Sequence, residues 1–304
     1  MGNTYSQTFP PTARFTEKNL LDQAGKVFIV TGSSSGVGKE LAQILYSHNA
    51  KEAFPNSKGE LVHLHLDLDD LSTIKKSAEE FLSKEQRLDV LWNNAGVMVP
   101  PHGSKTKQGY ELQLGTNNVA PFLFTKLLTP VLLKSAKESA PGAVRVVWVS
   151  SSGAETLSPE GGIDMGNLDY NVDKSTWNKY GISKAGNIFH STEFAKRYGN
   201  QGVISVALNP GNLRTDLQRN TPRWQLLLLG WLLYTPIHGA YTELFAGLSP
   251  DVTPEKNGAW IIPWGRIGNL RKDIAEGSKT AAEGGTGIAA AFWGWSEEQV
   301  KAYL

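Results

Sequence analysis

Runs of β-branched and aromatic residues alternate with amphipathic helical stretches along most of this chain, and that alternation limits the fold more than any other feature. Lys26–Thr31, Leu61–Leu66, Leu88–Trp92, Val144–Val149, Val203–Leu208 and Ala259–Ile262 read as strands. Gly38–Ser47, Leu71–Ser83, Gly109–Ser135 and Trp177–Tyr198 read as the helices between them. Parallel strands need long crossovers, usually helical, so the pattern predicts an α/β fold: a doubly wound parallel sheet covered on both faces. No repeat, low-complexity segment or change of composition divides the 304 residues, and a single domain is expected.

Composition then removes several functions. Lys and Arg number 30 against 29 Asp and Glu, a net charge of +1 with no basic block, so there is no electrostatic case for nucleic acid. The absence of cysteine excludes disulfides, thiolate nucleophiles and Cys-ligated zinc, and fits a reducing, cytoplasmic setting. Residues 1–24 read as a polar, disordered leader without the apolar run of a secretory signal. Met1-Gly2-Asn3-Thr4-Tyr5-Ser6 also fits the loose N-myristoylation pattern, and a single acyl chain would bind membrane only marginally. The most apolar stretch, Leu226 to Tyr234, is about half the ~20 residues needed to span a bilayer, so no membrane span is expected.

In an open parallel sheet, ligands bind beyond the carboxyl ends of the strands. Thr31-Gly32-Ser33-Ser34-Ser35-Gly36-Val37-Gly38 lies there, between a strand and a helix. Gly32 permits a tight turn, Gly36 lets the backbone approach a phosphate, and Gly38 lets helix and strand pack closely, which suits a nucleotide pyrophosphate. Asn93-Asn94-Ala95-Gly96 follows the next strand, where an Asn can brace neighbouring strand ends and the small pair admits a flat ligand. Ser150, Ser151 and Ser152 end the Val144–Val149 strand. Tyr180 and Lys184, at i and i+4, share one helix face. Ionising a free phenol near pH 7 requires about three units, or ~4 kcal/mol. One ammonium at ~4 Å, at an effective dielectric near 20, supplies about that much.

Together, in this order and spacing, these segments resemble the short-chain dehydrogenase/reductase family over about Gly25 to Gly265, most nearly its retinol-dehydrogenase-like fungal members. The resemblance implies a Rossmann fold and hydride transfer between NADP(H), with NAD not excluded, and a small lipophilic alcohol or carbonyl substrate. It implies Tyr180 as acid/base, Lys184 lowering its pKa and holding the nicotinamide ribose, Ser151 orienting the substrate oxygen, and Asn117, in Gly115-Thr-Asn117, holding a water that connects Lys184 to solvent. For the cofactor it implies Gly32, Ser34, Ser35, Gly36, Val37, Gly38 and Asn94. It adds Asp67 at the adenine, Lys126 as a further contact, and Pro210, Gly211, Leu213 and Thr215 at the carboxamide. Residues 219–250 match a short helical substrate lid, whose Trp224, Leu226–Leu229, Trp231 and Tyr234 would form an apolar mouth. Residues 266–304 would be a C-terminal extension, and family members commonly form homo-oligomers.

One segment departs from that pattern. Between His48 and Leu61 only Asn49–Glu60 remain, where the family fits a second strand and another helix. That stretch barely meets the ~10–12 residues a parallel crossover needs, and the resemblance implies that about twenty residues are missing at the Ala50–Lys51 junction. The lost strand end would carry the acidic residue for the ribose or the basic residue for a 2′-phosphate, so cofactor preference is not legible. Its loss would leave backbone exposed, or pair Leu61–Leu66 directly with Lys26–Thr31, and weaken cofactor affinity. Two alternatives follow: a cofactor-poor, non-catalytic member, or the same scaffold running a non-redox reaction. His63 and His65 share a sheet face but lack a third metal ligand in this segment. Gly268–Gly287 reads as a surface loop.

Overall fold

The computed structural model describes residues 2–48, 60–219 and 230–304. Five parallel strands lie in consecutive order: β1 (Phe28–Val30), β2 (Val90–Asn93), β3 (Val144–Val149), β4 (Val203–Leu208) and β5 (Trp260–Ile262). A short antiparallel strand, β6 (Arg266–Gly268), closes the far edge. Phe28 lies opposite Val90, Val90 opposite Arg145, and Arg145 opposite Ile204. Strands β2 to β5 are buried along their whole length, as a sheet covered on both faces requires.

Side-chain alternation sorts the core into two layers. Leu91, Val146 and Trp148 face α4 (Leu112–Lys137) and α6 (Thr176–Tyr198), with Leu128 and Phe189 packed among them. Val90, Trp92, Val147 and Val149 face α2 (Gly36–Ser47) and α7 (Pro236–Leu248), through Leu41, Ile44 and Leu244. Between α2 and α4 lies α3 (Leu71–Lys84), capped by the Asp70 carboxylate, which accepts from Ser72 N. By length and composition α4 could cross a membrane, but 67% of its most apolar window is buried inside the protein, so it is a core helix. The fold is the expected single-domain α/β sheet with helices on both faces.

Four expectations change. Leu61–Leu66 is not a strand: Leu64 and Leu66 pack on the core and Ser77 Oγ of α3 donates to His65 O at 2.6 Å, so this segment takes its contacts from α3. Among the described residues nothing pairs with the outer side of β1, which is three residues long and half-buried. The Ala50–Lys51 junction itself lies outside the described residues.

The leader is not disordered, because Gly2–Thr8 forms a helix, α1, whose Gln7 is buried. The last part of the expected lid segment is core. In α7, Ala240, Leu244 and Phe245 are buried against the sheet, and Trp231 is 74% exposed; Trp224 and Leu226–Leu229 lie outside the described residues. Finally, Gly268–Gly287 is more than a loop. It includes α8 (Lys272–Gly277), with Ile274 fully buried, and it leads into α9 (Ile288–Val300), which packs Phe292 and Trp293 against α6.

Candidate active site

A crevice of about 670 Å³ opens at the carboxyl ends of β1 to β4, within the size range of small-molecule sites. Its floor is the turn between β1 and α2, where Gly32, Ser34, Ser35, Gly36 and Val37 line it. Gly32 and Gly36 adopt φ of +69° and +57°, which only glycine takes without strain. A Cβ on Gly38 would meet Asn94 Nδ2 at 2.4 Å and Gly32 O at 2.7 Å, so this glycine lets α2 seat on the turn. Asn94 braces the same turn, donating from Nδ2 to Thr31 O at 2.7 Å. Ser35, as N-cap of α2, makes no side-chain cap hydrogen bond, leaving the first-turn amides to face the crevice. This is a cradle that fits a phosphate-bearing dinucleotide, and a side chain at Gly32 or Gly38 would press on Ala95, Asn94 or the turn itself and distort it.

The wall above the floor carries Ser151 and Tyr180, from the turn after β3 and from α6. Ser175 starts α6 by accepting from Asn178 N. Gly181 lets the helix approach the turn after β3, since a Cβ there would lie 2.6 Å from Leu157 C and Ser158 N. That turn contains the short helix α5 (Gly153–Thr156). Of the three serines, Ser150 is spent on Lys184 O at 2.6 Å, and it is Ser151 whose hydroxyl stands beside the Tyr180 phenol and favours its ionised form. Lys184 Nζ donates to Val149 O at 3.0 Å and sits 5.7 Å from the Tyr180 ring centroid.

The electrostatics differ from the expectation of a tyrosine ionised near pH 7. Burial pushes the Tyr180 phenol up to about 12, only partly offset by the neighbouring Ser151 hydroxyl. Burial also pulls the Lys184 ammonium down to about 8, although the Glu243 carboxylate favours its charged form. The protein by itself therefore keeps the phenol protonated. Glu243, fully buried on α7, is in turn pushed up to about 8 by burial, with Lys184 pulling it back.

Pro210, Gly211, Leu213 and Thr215 line the crevice beyond β4, with Gly211 at φ +95°. The Thr215 hydroxyl accepts from Leu217 N, capping a short turn. Asn117 stands one layer behind the wall, in a π-helical turn, Gly115–Val119. Its side-chain amide accepts from Val97 N and donates to Val97 O and Ser183 Oγ.

Two expected contacts lie elsewhere. Asp67 does not line the crevice; its carboxylate accepts from Asp69 N, because the segment before it is not a sheet strand and does not deliver it to the edge. Lys126 is also absent from the wall, and on α4 it pairs with Glu297 of α9. No group of three His, Cys, Asp or Glu that could hold a metal ion occurs among the described residues, His63 and His65 included.

Sequence reasoning missed other residues at or near the site. Thr8 and Trp177 line the crevice, Gln7 lies behind its wall, and Glu243 lies beneath it. A leader with alternating polar residues gave no hint that it docks here. Glu243 was legible in principle, as the one acidic residue in the apolar run from Pro236 to Leu248.

The short chain dehydrogenase family profile matches residues 26–162. A short-chain dehydrogenase/reductase of Phomopsis amygdali is 52% identical over 99% of this chain and 97% of its own length. Another, from Neocamarosporium betae, is 46% identical over 100% and 94%. Among solved structures, a Mycobacterium paratuberculosis protein superposes with a TM-score of 0.67 at 25% identity, covering 94% of this chain and 97% of that one. The NADPH-bound carbonyl reductase from chicken fatty liver gives 0.56 at 21%, over 77% and 95%, and shares the fold. On its sequence relatives and its fold, the chain belongs to the short-chain dehydrogenase/reductase family of oxidoreductases.

Proposed function

We propose that the chain reduces a lipophilic aldehyde or ketone at the expense of NADPH, with Tyr180 donating the proton to the carbonyl oxygen. The observation that carries this reading is that Tyr180 and Ser151 stand together on the wall above the glycine cradle. When bound, the reduced nicotinamide supplies a hydride to the carbonyl carbon. The Gly32–Val37 turn and the α2 amides would hold its phosphates, and Pro210, Gly211, Leu213 and Thr215 border the crevice where the carboxamide would lie. Ser151 orients the substrate oxygen and stabilises its developing negative charge, while Tyr180, which keeps its proton at neutral pH, passes it to that oxygen. Lys184, held on Val149 O, supplies positive charge beside the phenol. In the reverse direction the Tyr180 phenolate would accept the alcohol proton.

Met98, Leu157, Trp177, Leu217, Leu232 and Leu233 form an apolar part of the wall, which supports a lipophilic substrate over a sugar. The choice of NADPH over NADH rests on the family resemblance. The outer side of β1, unpaired among the described residues, and the position of Asp67 outside the crevice favour weak cofactor binding, roughly micromolar or weaker. The alignment with the Phomopsis amygdali relative runs over 326 positions, more than this chain has residues, and so contains positions this chain does not fill.

The test is consumption of NADPH in the presence of decanal by the wild type and by Tyr180→Phe. The variant should lose at least about a hundredfold in turnover, the usual weight of a general acid, while binding NADPH within about threefold of wild type. Turnover retained by Tyr180→Phe removes this residue from the role.

A further inference from the structure

The first eight residues do more than precede the domain. Gln7 is only 5% exposed, and its side-chain amide uses both ends. Its Nε2 donates to Glu155 Oε2 at 2.8 Å, and its Oε1 accepts from Asn209 Nδ2 at 2.8 Å. Glu155 belongs to the turn that follows β3 and carries Ser151; Asn209 begins the turn that follows β4. Both turns are tied inward as well. Gly153 N donates to Ser151 Oγ at 3.1 Å, and Gly211 N donates to Asn209 Oδ1 at 3.0 Å.

Other contacts keep the helix in place. The Arg266 guanidinium donates to Ser6 Oγ at 2.6 Å and to Ser6 O at 2.8 Å, and the Tyr234 hydroxyl donates to Thr8 O at 3.4 Å. Thr8 then lines the crevice itself. The other oxygen of Glu155 accepts from Arg271 N at 3.1 Å, which joins the C-terminal extension to the same network.

We propose that Gln7 is a positioning residue of the active site: its buried amide fixes the Ser151-bearing turn against the turn after β4, and α1 serves as a permanent part of the crevice wall. An amide suits this place because it must donate to a carboxylate and accept from an amide at once. A carboxylate could not donate to Glu155, and an apolar side chain would leave Glu155 Oε2 and Asn209 Nδ2 buried without these partners. The proposal goes beyond the redox reading and does not depend on it.

Hydrogen exchange of the full chain, measured without any dinucleotide, tests it. The backbone amides of Leu157, bonded to Gly153 O, and Gly211 report on the two turns. Gln7→Leu should speed exchange at both by about tenfold, the equivalent of one lost hydrogen bond, with the amides of β3 and β4 unchanged. Gln7→Glu should speed Leu157, by placing two carboxylates together. Adding Glu155→Gln to that variant exchanges donor and acceptor across the contact, and should return Leu157 to within about twofold of wild type. Unchanged exchange at Leu157 and Gly211 in the single variants overturns the proposal. So does a rise spread equally over β3 and β4 that the double variant fails to reverse.

Discussion

Gly38→Ala should destabilise the protein although alanine is the better helix former. The new methyl would sit 2.4 Å from Asn94 Nδ2 and 2.7 Å from Gly32 O, against about 3.5 Å for an ordinary contact. Either α2 withdraws from the turn, or Asn94 swings away and gives up its 2.7 Å bond to Thr31 O. Overpacking costs about 1–3 kcal/mol and the lost bond about 1 kcal/mol. Better helix propensity returns at most about 1 kcal/mol, leaving a net loss of about 1–3 kcal/mol. Gly294, on α9, supplies the control, because a Cβ there meets nothing within 4 Å. Gly294→Ala should therefore stabilise by about 0.5–1 kcal/mol. Urea unfolding of both variants measures the difference. If the two shift stability in the same direction, the close packing of α2 on the Gly32 turn is not what makes glycine necessary at position 38.

Three further outcomes follow. Asp89 is 1% exposed and bonded to Arg87, Lys26 and Val27 N, so Asp89→Asn should cost about 3 kcal/mol in urea unfolding by leaving those cations without their anion. Burial works to raise the Asp89 carboxyl, but the bonds from Arg87, Val27 N and Lys26 hold it below its ordinary 3.8; its stabilisation is complete above that value and is lost as pH falls through the lower folded one, so acid unfolding should begin at higher pH in a Lys26→Met variant. Glu243 has the opposite sign. Its carboxyl is raised from 4.5 to about 8, so it lowers stability as pH climbs through that window, and the stability of Glu243→Gln relative to wild type should improve between about pH 5 and about pH 8; a constant difference contradicts the assignment.

What was legible in the sequence was whatever repeats with a local period. Val144–Val149 and Val203–Leu208 are strands at those limits, because β-branched residues buried on both faces leave no other reading. The glycine turn and the Tyr180–Lys184 spacing were likewise local, and the structure sets both on one crevice. What failed depended on distant partners. Leu61–Leu66 has strand composition but finds α3 in place of a neighbouring strand, and Asp67 is misplaced as a consequence. Lys126 points to Glu297, 171 residues away, through a helix whose position no local pattern announces. Gln7 meets Asn209 across 202 residues. The burial of Tyr180 is hidden for a related reason: the spacing reports the nearby ammonium, but not the burial that raises the phenol.

Whether the crevice accepts a nicotinamide dinucleotide is measured directly by fluorescence titration of the full chain with NADPH, and separately with NADH. Saturable binding of one dinucleotide per chain, roughly micromolar or weaker, is the result expected. Failure of both to saturate would contradict the central claim.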